Sequence, residues 1–220
     1  NLRNILNVDV SDTHLKMVTD YLSNKEAVLS SKQLPFRFLS AYKELKESES
    51  SSTSLVLDAL EDAARHSANN ISGFSPDDRV LIACDVSGSM MHPISDRSKV
   101  ENFDIGLVLG SLAKSYCKKS YLGMFGNTWK TFNFSNKTPL ANAISMRKRE
   151  GEVGCNTNGY TVLEWAIKNN VVVDKVFMFT DCQMWNSYGF GRDSLMPVYW
   201  NSYGFGRDSL MPVYWKDYKK

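Results

Sequence analysis

Two apolar runs that each end in an aspartate constrain the fold of this chain more than any other feature. The segments "RVLIACD" (79–85) and "VDKVFMFTD" (173–181) have the length and apolar content of buried strands. A third run, "SYLGMFG" (120–126), predicts another strand, and "WKTFNF" (129–134) alternates like an edge strand beside it. Helical patterns lie between the strands, at 102–117, 139–150 and 161–170. Strands that alternate with helices predict an α/β fold with a largely parallel sheet.

The first third of the chain, residues 1–75, carries only helical patterns. Ser11 is a candidate cap for a first helix, and "LPFRFLSAYKELKES" (34–48) begins a second helix with Pro35 in an acceptable position. A further helix is predicted to start at Thr53 or Ser54. The pattern changes after a turn-rich linker, which predicts stacked α-hairpins in one domain, 1–75, and the α/β fold in a second, 76–220.

Composition places the chain among soluble globular proteins. Of its 220 residues, 43% are hydrophobic and 23% are charged, and the net charge of +2 is too small to argue alone for nucleic acid or membrane. No apolar run approaches the roughly 20 residues of a membrane span. Four cysteines without a CxxC pair predict reduced thiols in a cytoplasmic protein. The start lacks Met and an apolar leader, so we expect no signal peptide and a piece of a longer chain.

The C-terminal segment contains an unusual duplication. The fifteen residues "WNSYGFGRDSLMPVY" occur at 185–199 and again, without a change, at 200–214. Two copies do not make a solenoid, which needs about three or more repeats. We interpret the identity as a recent duplication or a sequence-assembly error rather than a functional repeat. The first copy is expected to form a surface loop, and the second to lead into a helix.

Oxygen-bearing side chains cluster where the two aspartate-ended strands finish. Asp85 is followed by Ser87 and Ser89, with a glycine between the serines that permits a tight turn. Asp181 ends the later strand, and Thr157 lies in a polar loop before a helix. In open α/β sheets, ligands collect beyond the carboxyl ends of the strands. Carboxylates and hydroxyls are hard ligands, so the five residues predict a site for Mg²⁺ or Mn²⁺.

Three other interpretations of the same residues stay open. Phosphatases of the haloacid-dehalogenase type need Asp-x-Asp after the strand, but Ser87 occupies the second acid position. A serine hydrolase needs Gly-x-Ser-x-Gly and a matched histidine, and the nearby imidazole is that of His92. The Ser-Gly-Ser stretch also suits an ordinary strand-to-helix turn. Since neither a nucleophile–base pair nor a phosphate-cradling glycine loop is present, we expect no enzyme activity.

The metal motif resembles the metal-ion-dependent adhesion site (MIDAS) of von Willebrand factor A domains. The resemblance covers roughly 78–184, because the Asp-x-Ser-x-Ser, threonine and Thr-Asp elements occur in the same order. It implies that Ser87, Ser89 and Thr157 touch the metal or the groups bound to it. Asp85 and Asp181 would act directly or through water. The remaining coordination position would be open for an acidic group of a protein partner.

The helical segment resembles the end of a TROVE module joined to its A domain, as in the Ro 60 kDa family. The resemblance is carried by "LPFRFLSAYKEL" (34–45), by "DRVLIACDVSGSM" (78–90) and by "TNGYTVLEWAI" (157–167). It implies the C-terminal end of an α-helical, HEAT-like repeat module followed by a Rossmann-like von Willebrand A domain. Because an A domain normally continues beyond the second aspartate, the resemblance also implies a fragment whose A domain is incomplete at its C-terminus.

The same resemblance predicts the function of an RNA-binding protein in a ribonucleoprotein. Members of the family bind small noncoding RNA of the Y type, or misfolded RNA, through a cationic ring of helical repeats. Candidate RNA contacts in this chain are the cations of its predicted helices, Lys32, Arg37, Lys43 and Lys46. The alternative is a protein-binding A domain that acts as a metal-dependent assembly or chaperone factor.

Overall fold

The computed structural model describes residues 11–46, 53–70, 73, 75–96 and 98–181. Its first part is helical, as predicted, with α1 (Asp12–Ser23), α2 (Lys25–Ser31), α3 (Pro35–Lys46) and α4 (Thr53–Ser67). The Ser11 hydroxyl oxygen accepts the His14 N–H (3.5 Å) and so caps α1. The short helix α2 is not among the predicted elements, and Val28 is its one buried residue.

The second part is an α/β layer, which confirms the predicted fold class. Its elements, in chain order, are β1 (Arg79–Asp85), α5 (Asn102–Tyr116), β2 (Lys119–Phe125), β3 (Trp129–Phe132), α6 (Pro139–Arg147), α7 (Tyr160–Lys168) and β4 (Lys175–Phe179). The strand order is β3-β2-β1-β4. Strand β1 runs parallel to both neighbours, whereas β3 pairs antiparallel with β2 and forms the predicted edge.

Helices α1 to α5 share one hydrophobic core with one face of this sheet. Leu45 of α3, Leu60 of α4 and Leu107 of α5 are fully buried in the same cluster as Ile82 of β1. A side chain at Gly110 would overlap the Cys84 Sγ, so glycine allows α5 to approach β1 closely. Helix α7 covers the opposite face in a smaller cluster. The helical region and the sheet therefore pack as neighbours with a common interior.

A buried carboxylate of α4 accepts hydrogen bonds from the first turn of α6. Glu61 is 5% exposed, and its two carboxylate oxygens accept the N–H groups of Leu140 and Ala141, both at 2.8 Å. Burial raises the pKa of Glu61 above its ordinary value, and the two N–H bonds oppose that rise. The first N–H groups of a helix have no acceptor within the helix, and Glu61 supplies acceptors for two of those in α6.

A second buried carboxylate joins α3, α5 and α6. Asp104 is 3% exposed, and its Oδ1 lies 2.7 Å from the Nζ of Lys43 and 3.7 Å from a guanidinium nitrogen of Arg147. Its Oδ2 accepts the N–H of Glu101 (3.0 Å) and completes a capping box at the start of α5. Both buried carboxylates connect the helical region to the sheet region. The boundary between 1–75 and 76–220 stays a prediction.

The three cysteines that the structure describes, Cys84, Cys117 and Cys155, are free thiols. The duplicated segment 185–214 and Cys182 lie outside the described residues, and the interpretation of the duplication stays a prediction. In the ranges that the structure describes, every helix is too short or too polar to cross a bilayer.

Candidate functional site

The sheet topology brings the two predicted aspartate ligands to the same edge. Strands β1 and β4 are parallel neighbours, and Cys84 pairs with Phe179 in their register. Asp85 is the last residue of β1, and Asp181 follows β4 by two positions. Their side chains therefore belong to adjacent chain segments at the carboxyl end of the sheet, where ligands of such folds bind.

Asp85 is held at both of its carboxylate oxygens. Its side chain is fully buried. The Ser87 N–H donates to Oδ1 (2.9 Å), and the Thr180 hydroxyl donates to Oδ2 (2.5 Å). Thr180 was not among the predicted site residues, although its position directly before Asp181 at the strand end is the sequence signal for it.

The electrostatics of Asp85 suit a cation. Burial raises the pKa of Asp85 above its ordinary value, the hydrogen bonds from Thr180 and Ser87 lower it, and the negative charge of Asp181 raises it again. The pairing of β1 with β4 places Asp181 at the same edge of the sheet as Asp85. A divalent ion between the two carboxylates would offset their repulsion.

The chain bends directly after β1, and we call the bend at Ser87 and Ser89 the serine turn. Their hydroxyl oxygens lie 3.1 Å apart, with Ser87 buried and Ser89 half-buried. A 3₁₀ turn, Gly88–Met91, forms the bend. Gly88 has no positive φ, and a Cβ there would meet nothing within 4 Å. The turn is tight, as predicted, but its backbone does not depend on the conformational freedom of glycine.

The loop that carries Thr157 reaches the serine turn through a backbone contact. The Gly88 N–H donates to the carbonyl of Cys155 (3.2 Å). A second hydrogen bond holds the loop, since the Asn156 N–H donates to the side-chain oxygen of Asn127 (3.0 Å). Thr157 itself is 3% exposed. Hydrogen bonds thus connect Asp85, both serines and the Thr157 loop. Asp181 lies at the same edge of the sheet, after β4.

The donor set fits a hard divalent cation. No three side chains among His, Cys, Asp and Glu converge on a possible metal position in the part of the chain that the structure describes. A site built on Asp85 and Asp181 would therefore need hydroxyl oxygens as further ligands. A mixed set of carboxylate and hydroxyl oxygens suits Mg²⁺ or Mn²⁺ better than a soft metal.

The four predicted RNA contacts do not form one cluster. Lys32 is exposed at the end of α2 in the left-handed conformation (φ 52°). Lys46 is exposed, with its ammonium 5.9 Å from the centroid of the Tyr42 ring. Lys43 is half-buried and forms its ion pair with Asp104. Arg37 is exposed, and its guanidinium lies 5.7 Å from the centroid of the Phe36 ring.

Arg37 and Lys43 line a cleft between α3 and the loop that follows the serine turn. The cleft has a volume of about 680 Å³, and residues 94, 95 and 98–100 form its other wall. Lys99 of that wall, which was not predicted, pairs with Glu44 across the cleft (Nζ to Oε1, 2.8 Å). Ser95 and Ser98 also line the cleft. With Ser40 of α3, three cations, three serines and the acid Glu44 thus line one concave surface.

Comparisons with known proteins agree with the fold. The family model described as the Ro60 vWA domain matches residues 79–194, and the TROVE domain model matches residues 1–101. A crystal structure of the Deinococcus radiodurans RO (RSR) protein resembles the chain with a TM-score of 0.59 at 18% sequence identity. The match covers 99% of this chain and 42% of that one, and at this identity it shows the fold alone. No curated protein sequence gives a significant match.

Proposed function

Because the chain belongs to the Ro60/TROVE family, we propose that it is part of an RNA-binding protein that holds small noncoding or misfolded RNA in a ribonucleoprotein. The family match carries the proposal. The cleft beside α3 supplies a place for the contact, and the proposal assigns no catalytic step to the chain.

The cleft has the chemistry that a nucleic-acid backbone needs. RNA phosphates are bound mainly by Arg and Lys, with serine hydroxyls as additional donors. The Arg37 guanidinium is exposed on this wall, where a phosphate can approach it. The pair of Lys99 and Glu44 is partly exposed, so water screens it and a phosphate can compete for Lys99.

Charge reversal at Arg37 tests the RNA contact. We expect Arg37→Glu to weaken binding of an RNA with a single-stranded 3′ end by about tenfold and to reduce the salt slope by about 1, since one phosphate contact is lost. Fluorescence anisotropy of the labelled RNA across a salt series measures both quantities.

Lys168→Glu is the matched control for charge. Lys168 is an exposed cation at the end of α7, on the opposite face of the sheet. It undergoes the same change in charge and should leave the affinity within about twofold. Equal affinities of wild type and Arg37→Glu would contradict the assignment of RNA to this cleft.

We also propose that the edge of the sheet binds Mg²⁺ or Mn²⁺. The carboxylates of Asp85 and Asp181 and the hydroxyls of Ser87, Ser89 and Thr157 would hold the ion. The contacts among Asp85 and the two serines support this proposal. When bound, the ion would supply a positive charge that neutralises the paired carboxylates and attracts a further oxygen ligand.

Removing the charge of Asp85 tests the metal site. We expect Asp85→Asn to weaken Mn²⁺ binding by about 100-fold, because the variant loses an ionised ligand while it keeps nearly the same shape. Isothermal titration calorimetry with Mn²⁺ measures the change. Asp77→Asn, an exposed carboxylate before β1, is the matched control and should bind as wild type. An unchanged Mn²⁺ affinity in Asp85→Asn would contradict the proposed metal site.

The alternative function, a metal-dependent protein-binding domain, is favoured by the exposure of the serine turn. Gly88 is exposed and Ser89 is half-buried, so a partner carboxylate could reach a metal there. If this alternative holds, Asp85→Asn abolishes capture of a protein partner and leaves the RNA affinity unchanged. A loss of RNA affinity in the same variant would favour a role of the metal in RNA binding instead.

A further inference from the structure

We propose that Thr180 is a positioning residue of the metal site, whose hydroxyl holds the Asp85 carboxylate in the orientation that a cation requires. The inference rests on the proposed metal site and assigns a role to a residue outside the five predicted ligands. The hydrogen bond from the Thr180 Oγ1 to the Asp85 Oδ2, at 2.5 Å, carries it.

The strand pairing explains why these two side chains meet. Cys84 lies opposite Phe179 in the parallel register of β1 and β4. The next residues along the two segments are Asp85, which ends β1, and Thr180, which directly follows β4. A hydroxyl that donates to an ionised carboxylate forms a short, charge-assisted bond, which is stronger than a neutral one. Because Asp85 is fully buried, bulk water cannot replace this donor without a rearrangement.

Together with the Ser87 N–H, the Thr180 hydroxyl fixes the rotation of the carboxylate. Ser87 donates to Oδ1 and Thr180 donates to Oδ2, so each oxygen is held by a different segment of the chain. Each carboxylate oxygen can accept more than one partner, which leaves capacity on both for a cation or its water. A ligand fixed in this way loses less freedom when the ion binds.

Thr180 also couples the two carboxylates of the site. It directly precedes Asp181 and contacts Asp85, so one short segment after β4 influences the positions of both acids. Because β1 and β4 are parallel neighbours, Asp85 and Asp181 lie at the same edge of the sheet. Loss of the hydroxyl should therefore loosen the arrangement that brings two negative charges onto one ion.

The test compares Thr180→Val with Thr180→Ser in the full chain, with Mn²⁺ alone as the probe. Thr180→Val keeps the shape without the donor and is expected to weaken Mn²⁺ binding about 10- to 100-fold, the usual range for a group that orients a metal ligand. Thr180→Ser keeps the hydroxyl and is expected to bind Mn²⁺ with an affinity within about threefold of wild type. Thr180→Ala removes the donor without adding bulk and replaces the valine variant if that variant does not fold.

Thermal unfolding without metal separates positioning from a structural role. If Thr180 only stabilises the fold, Thr180→Val lowers the midpoint temperature while the Mn²⁺ affinity of the folded protein stays unchanged, and the inference is overturned. Equal affinities of wild type, valine and alanine variants overturn it as well. If wild type itself binds no Mn²⁺, the proposed metal site fails, and the role of Thr180 fails with it.

Discussion

Replacement of Asp104 by alanine is expected to lower the free energy of unfolding by about 3–5 kcal/mol, the usual effect of breaking a buried ion pair from one side. Asp104 is 3% exposed and is the acceptor for the Lys43 ammonium at 2.7 Å. It also accepts the Glu101 N–H that begins α5. The variant therefore leaves a half-buried cation and a helix N–H without their acceptor. Urea denaturation followed by circular dichroism measures the loss.

Asp62→Ala is the matched control for this prediction. Asp62 also pairs with a cation, Arg65 one turn later in α4, but both side chains are more than a third exposed. Exposed pairs contribute little, so this variant should change the free energy of unfolding by less than about 1 kcal/mol. A loss of less than 1 kcal/mol in Asp104→Ala would contradict a structural role for the buried pair. The pairing also makes Lys43 a poor test of RNA binding, because its variants change stability.

Replacement of Glu61 by alanine is expected to cost about 2–4 kcal/mol, because two backbone donors lose their acceptor. The N–H groups of Leu140 and Ala141 point at the Glu61 oxygens from the first turn of α6, and Leu140 is fully buried. Water has little access to replace the carboxylate there. The same denaturation experiment measures the change, with Glu26→Ala as a control at an exposed acid in the first turn of α2.

The pH dependence gives Glu61 a second, independent signature. Burial raises the pKa of Glu61 in the folded protein, so ionisation costs more in the folded state than in the unfolded state. Wild type should therefore lose stability relative to Glu61→Gln as the pH rises through the raised pKa. Parallel pH profiles of the two proteins would show that the carboxyl group is not perturbed by burial.

Local sequence patterns were sufficient to predict the elements that frame the metal site. The bounds of β1 agree with the prediction, because a continuous apolar run followed by an acid has no competing helical pattern. The placement of Asp85 and Asp181 at one edge of the sheet followed from two predicted parallel strands with the same ending, whereas the neighbouring positions of the two strands did not. Helix α2 was missed because seven residues with one buried side chain, Val28, provide almost no periodic signal.

Side-chain partners across the fold could not be predicted from the sequence in the same way. Lys43 and Asp104 are far apart in sequence, and only the packing of α3 against α5 brings them together. Glu61 lies in an amphipathic helix, where a charged residue normally indicates the solvent side, yet it is buried against α6. Thr180 was visible in the Thr-Asp motif, but its bond to Asp85 depends on the register of β1 and β4.

The acceptor that α4 provides to α6 has a consequence for how genes of this kind can recombine. A rearrangement that carried the strand-bearing region into another gene without α4 would separate Glu61 from the N–H groups of Leu140 and Ala141. It would also expose the apolar side of α5 that α4 covers. Exchange between relatives is therefore expected to disfavour crossover points in the linker before β1, because the ion pair of Lys43 with Asp104 and the shared core also cross that linker.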